Sequence, residues 1–271
     1  RPQTDAQGRP LWELLLCDRQ GWQFSRRAPQ AEISGDWVRR QLEGAIAHQA
    51  PPKILQVFRP QSFSLIAAAA GPLKITVEAT RRTPQLKALL LSQAESLAQA
   101  ESQVQAAAAS PWNPLEIEQL PPQPLPERLR GERWQFAALA AGEVDYAFRD
   151  RPIPILSVPD HALPIPNGLA SDVPVPGLVI YGGRSAMALA RWLHSCRPVL
   201  LKYIAGAPDG VILEAGLAER WVMATFGDRE VAVAAEGFER RKRAAQGIHF
   251  LSIQPDDSGV TASGFWLLRA E

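Results

Sequence analysis

The chain has 271 residues, 46% of them apolar, and a formal net charge of +1. That length is too great for one ordinary core, so two domains are expected, and no apolar run approaches the roughly 20 residues of a membrane span. Cys17 and Cys196 make no disulfide framework, and His48, His161, His194 and His249 have no ligand spacing with them or with each other, so neither a zinc site nor any cofactor is expected.

In chain order, Leu11 to Asp18 reads as a buried strand, Asp18 to Gly21 as a turn, and Gly21 to Arg27 as the return strand of an antiparallel hairpin, with Arg26 and Arg27 at its far end. Ser34 is an N-cap with Asp36 in the first turn, and Val38, Leu42, Ala45 and Ile46 form one apolar stripe that Pro51-Pro52 ends. Next comes the stretch around which the chain is organised. Ile54 to Phe58 is a short apolar strand, Ser62 to Ala70 an Ala-rich helix stopped by Gly71-Pro72, and Ile75 and Val77 alternate with Lys74, Thr76 and Glu78. An insert of this length carries a helical crossover between parallel strands, so both strands end at the same sheet edge. Thr83-Pro84 then starts a helix whose apolar stripe fades after Ser92, so its far end is expected to fray. Pro111, Pro114, Pro121, Pro122, Pro124 and Pro126 read as an extended linker.

In the second half a turn at Leu129 to Glu132 enters a strand, and 150–176 is Pro-rich and irregular. Gly177 to Tyr181 is a buried strand, followed by Gly182-Gly183-Arg184-Ser185, a helix, and a strand from Val199 to Ile204. This is a second strand–helix–strand unit. Val211 to Leu213 with Arg220 to Phe226 reads as a hairpin, about Asp228 to Gln246 as a helix burying Val231, Ala235 and Phe238, and His249 to Ile253 with Ser263 to Leu268 as a closing strand pair. The expected architecture is α/β, with two domains (1–110 and 127–271), each a mixed sheet with a strand–helix–strand crossover, joined by a Pro-rich linker (111–126).

Charge is uneven along the chain. From Arg19 to Arg82 there are ten Lys/Arg against four Asp/Glu, while from Glu127 onward there are sixteen against seventeen. A basic first half beside a neutral second half is a localised footprint for a phosphate backbone. The parallel strand ends bring Arg59 and Gln61 together with Arg81, Arg82 and Thr83, where α/β sheets hold ligands and where guanidinium forks suit phosphate. The same arginines would equally serve to cap helices or to pair with Glu78. Arg26 and Arg27 flank this edge, and Trp22 is the tryptophan beside positive charge that suits base stacking.

Two further stretches have both a functional and a plain reading. Gly182, Gly183, Arg184 and Ser185 are either a secondary anion site at a helix start or a tight turn with a Ser cap. Glu239-Arg240-Arg241-Lys242-Arg243 is either an RNA contact or a solvated helix face with Glu236–Arg240 and Glu239–Arg243 pairs. Gly-x-Ser-x-Gly and HExxH are absent, and a metal-dependent nuclease would require Asp18, Glu78 and Glu132 to converge. No catalytic residue is assigned and an enzyme is not expected.

Phe58-Arg59-x-Gln61, Arg81-Arg82-Thr83, Leu129-Arg130-Gly131-Glu132-x-Trp134, Pro176-Gly177-Leu178-Val179-Ile180-Tyr181, Arg220-Trp221, Gly247-Ile248-His249-Phe250-Leu251 and Gly264-Phe265-Trp266-Leu267-Leu268 together resemble the TAB/ATAB-type RNA-binding proteins of cyanobacteria and chloroplasts. The match runs in order from about Leu11 to Leu268. Pro60 departs from the family pattern, which has a small polar residue there, and Glu78-Ala79-Thr80 stands where Pro-Ser is frequent. The resemblance implies an RNA-binding factor that promotes translation or biogenesis of photosystem I reaction-centre proteins by binding the 5′ untranslated region of an mRNA. Single-stranded RNA is then the expected partner, with ribosomal or photosystem assembly proteins as further candidates. The alternative is an assembly factor whose basic edge docks an acidic protein. Nothing at the start reads as a transit peptide, so the expected setting is the cyanobacterial cytoplasm or the periphery of thylakoid membranes.

Overall fold

A computed structural model of the chain describes residues 3–47, 50–102, 113–115, 120–144, 146–149 and 151–270. The chain divides into two compact units, Arg1–Glu118 and Gln119–Glu271.

In the first unit, β1 (Gln3–Thr4), β2 (Pro10–Cys17) and β3 (Gln23–Pro29) form an antiparallel sheet in that order. The β2–β3 turn closes because the Asp18 carboxylate accepts the backbone N–H groups of Gln20 (2.8 Å) and Trp22 (2.9 Å). The hairpin has the expected pairing, with Leu14 opposite Arg26. β2 is half-buried, however, and Trp12 is 42% exposed. Helix α1 (Gly35–Ile46) is capped as expected, the Ser34 hydroxyl accepting from the Trp37 N–H at 3.2 Å, and it buries Val38, Leu42 and Ala45 against α2 (Pro60–Ala70). On either side of α2, β4 (Ile54–Val57) and β5 (Thr76–Ala79) pair parallel in the register Ile54↔Thr76 to Val57↔Ala79. The strands form two separate sheets instead of one mixed sheet. Leu14 and Leu16 from one, and Leu55 and Val77 from the other, pack on the same core of Val38, Leu42, Ala69, Ala70 and Ile75. Helix α3 (Pro84–Ser102) follows, and the stretch 103–110, for which fraying is expected, lies outside the described residues.

The second unit is built on two sheets. The larger comprises β7 (Arg133–Ala140), β8 (Ile155–Ser157), β9 (Pro174–Tyr181), β13 (Ile248–Gln254) and β14 (Gly264–Arg269), in the order β7-β9-β13-β14-β8, with α4 (Tyr146–Arg149) following β7. The smaller comprises β6 (Gln123–Pro124), β10 (Pro198–Ile204), β11 (Asp209–Ala215) and β12 (Glu219–Phe226), in the order β10-β11-β12-β6. One face of the larger sheet (Leu178, Ile180, Leu251, Ile253, Trp266) shares a core with β11, with α5 (Ala186–Cys196) and with α6 (Arg229–Ala244). Its other face (Val175, Val179, Phe250, Phe265, Leu267) is covered by Ala141, Val144, Ala162 and Leu169. Burial on both faces explains why these strands read as continuous apolar runs. Gly177 faces Phe250 across the β9–β13 ladder, and a Cβ there would run into the Phe250 ring.

Two expectations are corrected by this architecture. The strand–helix–strand unit β9–α5–β10 does not close within one sheet, because β9 pairs parallel with β13 and antiparallel with β7, while β10 starts the other sheet. The described residues 120–126 do not form a free linker. Gln123 and Pro124 pair with Trp221 and Val222, and Leu125 is buried in the second unit's core. The described residues 151–176 are largely irregular, as expected, apart from β8 and the start of β9, and they are held by the Asn167 amide, which donates to the carbonyls of His161 (3.1 Å) and Leu163 (2.7 Å), and by Arg269, which donates to His161 O at 2.9 Å and also to Asn167.

Candidate nucleic-acid interface

The parallel β4–β5 pair ends with Val57 opposite Ala79, and the ladder extends one step as the Thr80 N–H donates to Val57 O at 3.0 Å. Each strand then runs directly into a helix. Phe58-Arg59 leads into α2 with Pro60 at its first position, and Thr80-Arg81-Arg82-Thr83 leads into α3, which begins at Pro84. Proline suits both places because the first helical N–H has no intrahelical partner to lose, and this accounts for Pro60. The connection into α3 is tightened by the Arg82 N–H on Thr80 Oγ1 (3.1 Å), by Thr83 N–H on Arg81 O (3.2 Å), and by Lys87 N–H on Thr83 O (2.9 Å). Two helix N-termini, each carrying about half a positive charge, therefore follow from the same sheet edge.

Phe58 forms the floor of this edge at 4% exposure. The Arg59 guanidinium carbon lies 5.9 Å from its ring centroid and the Lys87 Nζ 5.5 Å from it, both within cation–π range. Lys87 has its pKa pushed down, first by partial burial and then by the neighbouring charges of Arg81 and Arg82, as expected for like charges gathered around one amine. Arg59 donates to the Pro114 carbonyl at 2.6 Å. Gln61 is exposed in the first turn of α2. Thr83 is 6% exposed, and its Oγ1 is buried with no hydrogen-bond partner among the described residues. The Glu78 carboxylate accepts from Gln56 across the strands at 3.2 Å. Arg59, Arg81 and Arg82 thus gather at one edge, and Lys87 joins them. The signal for Lys87 lies in helical spacing: it is one turn past Thr83, and helical side chains lean toward the N-terminus.

The hairpin residues are a separate group. Trp22 stacks on Phe24 (6.2 Å between centroids, 13° between planes) and the Arg26 guanidinium lies 4.9 Å over Phe24. Trp22, Phe24 and Arg26 thus make an aromatic–aromatic–cation row along one face, and the i, i+2 spacing could have found Phe24. Arg27 pairs with Glu13 at 3.3 Å.

At Gly182-Gly183-Arg184-Ser185 the geometry weighs against an anion. The Gly182 N–H donates to Gln254 O (2.8 Å) and the Gly183 N–H to Pro255 O (3.0 Å), so both donors are engaged within the protein. Gly183 has φ +51, and the Glu132 carboxylate packs where its Cβ would be, so a negative charge already lies against the turn. Ser185 makes no side-chain cap bond. In the basic run of α6, Lys242 is 6% exposed and bonds Leu201 O (2.7 Å) and Glu239 (2.8 Å), so this cation belongs to the core and not to a solvated face. Of the carboxylates a nuclease would need, Asp18 holds its turn, Glu78 is bonded to Gln56, and Glu132 belongs to the second unit. Among the described residues no group of three His, Cys, Asp or Glu side chains is placed to hold a metal ion, and no helix is long and apolar enough to cross a membrane.

With that geometry in view, comparison with known proteins is specific. The model of the N-terminal domain of the RNA-binding protein Tab2/Atab2 matches residues 1–94, and that of its C-terminal domain matches residues 112–269. The chain is 29% identical to the chloroplastic TAB2 homolog of Zea mays over 99% of its own length and 69% of that protein. It is 28% identical to the chloroplastic TAB2 homolog of Arabidopsis thaliana over 99% of its length and 72% of that protein. No solved structure matches it.

Proposed function

Because the chain belongs to the Tab2/Atab2 family of RNA-binding proteins, we propose that it binds single-stranded RNA through the basic edge of its first unit, and that it acts in photosystem biogenesis. Its RNA partner on this reading is the 5′ untranslated region of a reaction-centre mRNA, whose translation it promotes in a cyanobacterial cytoplasm. The observation that supports the reading is the gathering of Arg59 and Lys87 around Phe58, with the charges of Arg81 and Arg82 acting on Lys87, at the ends of parallel strands and the starts of two helices. Phosphates are held there by guanidinium forks and helix N-termini. Trp22 and Phe24 supply faces on which bases stack, beside Arg26. The family is one of RNA-binding proteins, so no catalytic step is assigned.

The test is a fluorescence-anisotropy titration with labelled single-stranded RNA across salt. The plot of log affinity against log salt is expected to have a negative slope. In the folded R81A/R82A variant that slope should flatten by about 0.7 for each phosphate the protein no longer neutralises. A reaction-centre leader should bind more tightly than a shuffled leader of equal length. No binding at low salt would refute the reading and favour a protein partner docked on the same edge. An unchanged slope in the variant would move the RNA elsewhere on the molecule.

A further inference from the structure

Resting on the RNA-binding reading, we propose that the second unit adds an auxiliary contact to the RNA backbone, where Arg240 and Arg243 on the outer face of α6 each hold a phosphate. The sequence leaves two readings of this basic run open, and they differ in what the neighbouring carboxylates do. A solvated face balances its arginines with Glu236–Arg240 and Glu239–Arg243 pairs. Neither pair forms. The Glu239 carboxylate is turned inward, its Oε1 accepting from the Tyr203 N–H and from Lys242 Nζ, both at 2.8 Å. Glu236 makes no ion pair among the described residues, and its charge reaches the Tyr203 hydroxyl. Arg240, Arg241 and Arg243 are all exposed, and among the described residues their guanidinium groups have no hydrogen-bond or ion-pair partner.

The helical repeat sets the two arginines side by side. α6 buries Ala235, Phe238 and Lys242, so Arg240 and Arg243 fall on the side turned to solvent, with Cβ atoms about 5–6 Å apart at this spacing. Lys242 and Glu239 cancel as an ion pair, which leaves three exposed arginines against the one exposed carboxylate of Glu236 on this half of the helix. Lys202, exposed on β10, adds to the field at Lys242, while Glu214, which opposes it, is 5% exposed. Cations in the last turn offset the helix dipole, but Arg241 and Lys242 already stand there, and Arg240 lies outside that turn. Like charges with nothing between them repel, and a polyanion removes that repulsion. Guanidinium forks suit phosphate oxygens. Val233 is the one large apolar side chain exposed on α6, too little for the apolar face of a membrane-surface helix, so the geometry favours a nucleic-acid strand over a bilayer.

The experiment repeats the salt titration with labelled single-stranded RNA on the full chain and its variants. In R240Q/R243Q the slope of log affinity against log salt should flatten by about 1.4, two phosphates at about 0.7 each. R240K/R243K keeps both charges and should retain the parental slope. R184Q/R191Q removes two exposed arginines at and before α5 and should leave the slope unchanged. A parental slope in R240Q/R243Q, with R81A/R82A still flattened, would overturn the inference and leave the first unit's edge standing. Flattening in R184Q/R191Q as large as in R240Q/R243Q would overturn the assignment to α6, and equal flattening in R240K/R243K would overturn the role of charge. No RNA binding by the parent chain would overturn both this contact and the reading it rests on. Co-sedimentation with phosphatidylglycerol vesicles that depends on Arg240 and Arg243, with the RNA slope unmoved by R240Q/R243Q, would assign the row to a lipid surface, and the RNA contact falls.

Discussion

Leu201 shows how much of the second unit rests on single side chains. Its N–H donates to His249 Nε2 at 2.9 Å and its carbonyl accepts from Lys242 Nζ at 2.7 Å, while Tyr203 N–H donates to Glu239 at 2.8 Å. His249 is fully buried and its Nδ1 lies 2.8 Å from Gly247 O, which fixes the neutral ring with its proton on Nδ1. Burial holds the His249 pKa down at about 3, with Lys242 adding to the effect and the Gly247 bond opposing it. The unfolded chain takes up this proton near pH 6.5 and the folded chain only near 3, so between these values the unfolded state binds one proton more. Stability from this group is therefore complete above pH 6.5 and is lost as pH falls, by about 1.4 kcal/mol per unit. His249→Gln should cost about 1–3 kcal/mol at pH 7.5, and the gap to the parent chain should narrow as pH drops below 6.5. Urea midpoints from pH 7.5 to 4.5 test this, and parallel pH profiles would contradict it. Lys242→Met, which leaves Leu201 O without its donor and Glu239 without its cation, should cost about 1–3 kcal/mol with a smaller effect of pH.

Those same bonds explain at the level of elements why β9–α5–β10 does not close into a crossover. The edge of β10 away from β11 is already satisfied by side chains of α6 and β13, so it neither offers nor needs a strand partner. Nothing in the local pattern of Val199 to Ile204 reveals this, since the choice of partner depends on residues some 40 positions away. Lys242 is hidden for a similar reason: inside Arg-Arg-Lys-Arg it looks like any solvated cation, and only Leu201 O and Glu239 single it out. By contrast, β4, α2 and β5 are legible because alternation, an Ala-rich insert and a Gly-Pro stop are local signals, and the parallel register brings their loops to one edge as expected. The gathering of arginines at that edge is legible too, whereas Lys87 escapes a reading of α3 that follows its apolar stripe alone. Ser34 is legible as a cap, and Ser34→Ala should lower stability by about 1 kcal/mol, read as a lowered denaturant midpoint with unchanged slope. A variant as stable as the parent would mean that the Trp37 N–H is equally well met by water.

For the whole molecule, the uneven charge and the uneven core describe a division of labour. The first unit carries the basic segment from Arg19 to Arg82, ten Lys/Arg against four Asp/Glu, and a small core of helices α1 and α2. The second is nearly neutral and holds two buried clusters, one on each face of its five-stranded sheet. The stretch that reads as a linker contributes to that second core from Gln123 onward, since β6 pairs with β12 and Leu125 and Leu129 are buried. Composition hides this, because proline density signals an extended chain without saying whether the chain is solvated or pressed into an edge. A fragment Gln119–Glu271 keeps every strand of both sheets, so it should fold alone and melt in one cooperative transition. A fragment that begins at Arg130 loses β6, Leu125 and Leu129 and should melt lower or not cooperatively, as calorimetry would show. The longer fragment also separates the functional readings. Having left the Arg59–Lys87 edge behind, it should lose most salt-dependent RNA affinity. Retention of full affinity in a folded Gln119–Glu271 would transfer RNA binding to the second unit and take it away from the basic edge.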